Sequence, residues 1–158
     1  MTANTFRSLF IKSLDADAGS DATAWGLLIL RGLVGVLIFY VHGWHKLEGG
    51  LEWLRNGTRW PLADEVAAMH FPAPVASAFA ATAVQFLCAP LLSLGFCTRL
   101  NAAALTAVLG VAIAQNVGAH RDPQLAVLYT VVVAAFVLLG GGQFSLDTKL
   151  NRLVQNQQ

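Results

Sequence analysis

Three stretches of this chain, residues 71–98, 100–119 and 123–146, contain no Asp, Glu, Lys or Arg. Each is as long as the ~20 residues that carry an α-helix across about 30 Å of hydrocarbon at about 1.5 Å per residue. A backbone in lipid finds no water to bond, so a run of that length folds as a helix that satisfies its own amides. A fourth stretch, from Ala22 to Lys46, is interrupted only by Arg31, close enough to the start for its stem to snorkel to the headgroups. Composition agrees with a membrane protein: 56% of the residues are hydrophobic and 12% charged, about half the charged share of a soluble domain. A formal net charge of +1 offers no basic stripe, which sets nucleic acid aside as a partner.

The expected fold is all-α: an integral membrane four-helix up-down bundle forming one domain over 1–158, with spans near 24–46, 74–96, 99–118 and 124–141. The links "FCTRL" and "AHRDP" are so short that consecutive helices must be antiparallel neighbours. No run alternates as a barrel strand does. Pro74 suits a first turn, whereas Pro90 lies inside the second span and should kink it. Short interfacial helices are expected at both termini and in the first loop. In residues 1–20, "FRSLFIKSL" sets Phe6, Phe10 and Leu14 on one face with Arg7 and Lys12 beside them; it does not read as a secretory signal. At the other end Ser145 is an N-cap for a helix with Leu146, Leu150 and Leu153 in a stripe. In the loop 47–73, "PLADEVAAMHFPAP" has Pro61 at a first-turn position and Leu62, Val66 and Met69 at helical spacing. That helix either caps the outer mouth of the bundle or merely covers its surface.

Four crossings return the chain to its starting side. Arg7, Lys12, Arg99, Lys149 and Arg152 lie on the side of the termini, against Lys46, Arg55, Arg59 and Arg121 opposite. The positive-inside rule therefore favours cytoplasmic termini and an outer loop 47–73, in a multi-pass protein of the cell (inner) membrane. Trp25, Trp44, Trp53 and Trp60 sit where interfacial aromatics belong.

Polar residues concentrate at one end of the bundle. Helical spacing places Arg31, Gly35, Ile38, His42 and either His45 or Lys46 on one face of the first span, and Gly32 and Gly35 let a neighbouring helix approach it. The third span brings Gln115, Asn116 and His120 to the same end. Inward ionisable groups in a membrane mark functional sites by default, while Arg31 and Lys46 also suit the part of snorkelling anchors. Gln85 in mid-span needs a partner, ordinarily an interhelical hydrogen bond; Gln124 and Tyr129 are similar. Metal ligation is not expected, for no His-x-x-x-His or Glu-x-x-His occurs on any helix. Cys88 and Cys97, placed in one helix, are too far apart for a bridge and read as small core residues.

"RGLVGVLIFYVHGWHKL" resembles the signature of the DoxX family of small four-helix membrane proteins through Arg31, Gly35, His42, Gly43, Lys46 and Leu47. "GFCTRL" is similar to the family's turn through Gly95, Thr98 and Arg99, and "GGGQFSLD" to its closing motif through Gly142, Ser145 and Asp147. His45 and an alanine-rich third span depart from the pattern. The resemblance implies a subunit of a quinone-linked oxidoreductase, thiosulfate oxidation included, or a protein of quinone and oxidative-stress resistance. On that expectation His42 and Lys46 polarise or protonate ring oxygens and Gln115 or Asn116 meets the far carbonyl, with Arg31, His120, Gln85 and Tyr129 completing the candidate set. No flavin, haem or iron motif is present, so the quinone is the one small molecule expected besides lipid, and a redox partner protein would supply electrons; a homo-oligomer is compatible with this. The alternative is a non-catalytic scaffold or a carrier of a small lipophilic molecule. A pocket for a ring beside His42 favours the first, an alanine-packed solid interior the second.

Overall fold

The computed structural model describes residues 21–156; the interfacial helix expected within 1–20 lies outside them. All regular structure among the described residues is helical: α1 (Asp21–Leu37), a π-helical segment (Ile38–Trp44), α2 (His45–Asn56), α3 (Pro61–Ala68), α4 (Pro74–Leu94), α5 (Thr98–Gly118), α6 (Gln124–Leu139) and α7 (Leu146–Gln155). Helix α1, the π-helical segment and α2 run on as a single helix of 36 residues. That helix, α4 and α5 are each long and apolar enough to cross a membrane. Helix α6 is equally apolar but, at 16 residues, spans only about 24 Å.

The first helix departs most from expectation. It does not stop near Lys46, where charges begin, but continues to Asn56 and ends on Gly57 in the left-handed conformation, φ 64°. Polarity marks where a helix leaves lipid, whereas the helix itself ends only where the backbone finds a C-cap. Pro61 and Pro74 open α3 and α4 as expected. Pro90 is taken up within α4, and Cys97 is not in that helix: it sits exposed in the turn before α5 with φ 45°. The proposed core role of Cys97 is therefore incorrect, and only Cys88 is partly covered.

Helix α4 packs against α1, the π-helical segment and α5; α5 lies along α6 and α1 touches α6. Between them Val34, Ile38, Ala89, Leu92, Leu105, Val133 and Phe136 form the main core. The outer faces carry exposed Leu33, Leu87, Leu100, Val131 and Leu138, the surface a helix shows to acyl chains. Since lipid is as apolar as leucine, close packing rather than water expulsion holds such helices together. Gly35 is the closest approach: a Cβ there would stand 2.1 Å from Ser93 Oγ and 2.6 Å from the Ala89 carbonyl oxygen.

One end is fastened by two charged groups. Arg31, expected to snorkel, is 1% exposed; Nε donates to Ser93 O at 3.1 Å, Nη2 to Phe144 O at 3.3 Å, and Nη1 to Gly141 O. Its guanidinium thereby joins α1, α4 and the segment after α6. The Asp147 carboxylate accepts from the backbone N–H of Cys97 at 2.6 Å and from the N–H and hydroxyl of Thr98 at 2.8 and 2.7 Å. Ser145 caps α7 as expected, its hydroxyl accepting from Thr148 N–H.

A second, smaller core lies at the opposite end. Trp60, 3% exposed, packs with Leu62, Ala63, Val66 and Ala78, and its ring centroid is 4.5 Å from that of Phe79. Trp60 is thus a core residue rather than an interfacial one. Gly49 and Gly50 make the room, for a Cβ on either would meet the indole at 3.1 Å. This aromatic cluster seats α3 against α4.

Candidate functional site: a polar chamber under α3

The π-helical segment sets the position of His42. Along α1 the buried face runs through Arg31, Val34, Gly35 and Ile38, and the next buried residue is Gly43, five positions on. A π-turn inserts that extra residue and brings the backbone of Gly43 against α4, where a Cβ would lie 3.3 Å from the Gln85 carbonyl oxygen. His42 follows on the flank of this contact, half-buried, its ring 5.6 Å from that of Tyr129 in an edge arrangement.

His42, Lys46, Gln85, Gln115, Asn116 and Tyr129 line one chamber of about 310 Å³. These six come from sequence positions far apart, on the first long helix, α4, α5 and α6. Of the polar cluster expected at this end, His42, Lys46, Gln115 and Asn116 come together, and Gln85 and Tyr129 join them from mid-helix. Arg31 and His120 are not brought in: Arg31 belongs to the fastening at the other end, and His120 is exposed in the turn after α5 with φ 53°. His45 and Gln124 are exposed as well.

Glu65, Arg121 and Asp122 also line the chamber and escaped the sequence reading. Glu65, on α3, accepts from Gln115 Nε2 and from Arg121 Nη2, the latter at 2.7 Å. It ties α3 to α5 and to the turn before α6. A signal existed: Glu65 lies three residues after Leu62 and four before Met69, on the same helical face. Lys46, expected to anchor at the headgroups, is partly buried and borders both this chamber and a second cavity.

That second cavity, of about 280 Å³, is a groove between α4 and α5 roofed by Leu62 and Val66 of α3, with Val84 and Val108 among its walls. It shares Lys46, Ala112 and Gln115 with the polar chamber. Gln85 is 1% exposed and its Oε1 has no hydrogen-bond partner among the described residues. No three His, Cys, Asp or Glu of the described residues are grouped as metal ligands would be.

Long apolar helices around a polar chamber, with their apolar faces turned outward, define a helical membrane protein with a polar cavity. The chain belongs to the DoxX family: the DoxX model matches residues 26–121, well over half of its length. No curated protein and no solved structure matches it.

Proposed function

We propose that this protein binds a quinone and serves as a quinone-interacting accessory subunit in membrane-linked redox or quinone detoxification. The observation that carries this reading is the adjacency of two cavities: a polar chamber of about 310 Å³ and an apolar groove of about 280 Å³ share Lys46, Ala112 and Gln115 as lining residues. A volume of about 150 Å³ already holds a benzene ring, and ligand pockets run from about 300 Å³ upward. A ring with oxygen substituents matches the chamber and an apolar tail matches the groove. His42 and Lys46 act on one ring oxygen, His42 through an imidazole nitrogen that can donate or accept a proton and Lys46 through its N–H donors. Asn116 meets the far oxygen, while Gln115 is held by Glu65. Electrons come from a partner protein.

The accompanying arrangement is a four-helix up-down bundle in the cell membrane with both termini cytoplasmic, which puts the chamber toward the outer side. It is supported by the short links between α4, α5 and α6 and by the cation balance. Organic extracts of the purified protein, analysed by mass spectrometry, are expected to contain a quinone that His42→Ala and Lys46→Met preparations lack although both remain helical in detergent. Full retention by both variants would overturn the assignment. A carrier of a lipophilic molecule is the second reading, favoured by the groove; it requires bound apolar molecules without a redox-active ring.

A further inference from the structure

Building on the quinone-site reading, we propose that the form this chamber holds is the reduced, dihydroxy ring with an apolar tail, that Gln85 selects it over the oxidised quinone, and that the tail lies in the groove between α4 and α5.

Two separate observations support this. First, Gln85, one of the residues lining the chamber, carries an acceptor with nothing to accept: its Oε1 is buried and unpaired among the described residues. A buried carbonyl left unpaired is unfavourable, and the deficit disappears only when a neighbour offers an N–H or O–H. An oxidised quinone brings two carbonyl oxygens, which accept and cannot donate, so Oε1 stays unpaired in its presence. A hydroquinone brings two hydroxyls; each can donate to Oε1 while accepting from Lys46 or Asn116. The last torsion of a glutamine is broad and soft, so the oxygen can swing toward a donor in the chamber without moving α4. Among the carboxylates lining the chamber, Glu65 is engaged by Gln115 and Arg121, and one oxygen of Asp122 by the N–H of Gln124 at 2.9 Å.

Second, the groove opens sideways. Ala80 on α4 and Val111 on α5 line it and are themselves exposed, on helices whose outer faces meet lipid. On this proposal a chain attached to the ring runs past Lys46, Ala112 and Gln115, which border both cavities, into the groove and between α4 and α5 to the bilayer. Ala80, Ala81 and Ala112 give the groove small side chains along this course.

The probes are a decyl-tailed benzohydroquinone and the same compound oxidised to the benzoquinone, each titrated anaerobically by calorimetry into the full chain in nanodiscs, with empty discs as reference. The wild-type protein is expected to bind the hydroquinone about tenfold more tightly, because a factor of ten is about 1.4 kcal/mol and an unpaired buried acceptor costs about that much. Gln85→Leu should erase the preference by weakening the hydroquinone alone. Replacing the decyl tail by methyl should weaken both forms. Equal affinities in the wild type, tighter quinone binding, or a preference that survives Gln85→Leu would overturn the inference and leave a quinone site standing. Folded wild-type protein that binds neither form would overturn both. The wild-type comparison decides the matter even if a Gln85 variant does not fold.

Discussion

Arg31 and Asp147 show how few side chains hold one end of this protein. Three backbone carbonyls from two distant segments converge on the guanidinium, whose planar fork of donors a lysine cannot reproduce. Arg31→Lys is expected to lower stability by roughly 3 kcal/mol, the range of charged hydrogen bonds lost together, read as a drop in the detergent melting temperature. Arg31→Met should cost at least as much. Asp147 gives the same fastening a pH dependence. Burial opposes ionisation of its carboxyl, but the N–H and hydroxyl of Thr98, the N–H of Cys97 and the charge of Arg31 outweigh it and hold the pKa below its ordinary value. A depressed carboxylate stabilises the fold above the unfolded-chain pKa of about 3.9, and the contribution is lost as pH falls through the folded value. Asp147→Asn should therefore melt well below wild type at neutral pH, and the two curves should converge in acid below about pH 3.9. A gap that stayed constant with pH would assign the stabilisation to shape rather than charge.

Helix contacts depend on where glycine permits approach, and the two glycines of "RGLVG" separate cleanly. Gly35 meets Ser93 and Ala89 within distances that no Cβ tolerates, whereas a Cβ at Gly32 meets nothing within 4 Å. Gly35→Ala is expected to push α4 off α1 and cost about 2 kcal/mol, in the manner of an overpacked core. Gly32→Ala should be neutral or stabilising by up to about 1 kcal/mol through helix propensity. Thermal melts of the two single variants make the comparison, and equal losses would contradict the packing described here. The π-helical segment was invisible in the sequence. Periodicity at 3.6 residues places His42 on the same face as Arg31 and Ile38, and only the contact of Gly43 with α4 shows that the face advances by five residues instead.

For the molecule as a whole, the side on which α2 and α3 emerge decides where the chamber opens. In a background with Cys88 and Cys97 replaced by Ser, a cysteine at Thr58 should react with an impermeant maleimide added to intact cells and a cysteine at Asn156 should not. Thr58 serves better than Gly57, whose φ of 64° disfavours a side chain; the reverse labelling pattern would invert the proposed orientation. What the sequence determined by itself was the class: uncharged runs as long as the bilayer is thick leave the backbone no choice but helix, and Pro61, Pro74 and Ser145 mark helix starts by local sterics and hydrogen bonding alone. The short links also bring His42, Lys46, Gln115 and Asn116 to one end, and these four line the chamber together with Gln85 and Tyr129. Only the tertiary structure decided that Arg31 is a fastening instead of an anchor, that Trp60 is a core residue, and that Glu65 reaches across to Gln115 and Arg121. Those outcomes turn on which carbonyl, ring or carboxylate arrives from a distant part of the chain, and such partners follow from packing, not from a residue's own neighbours.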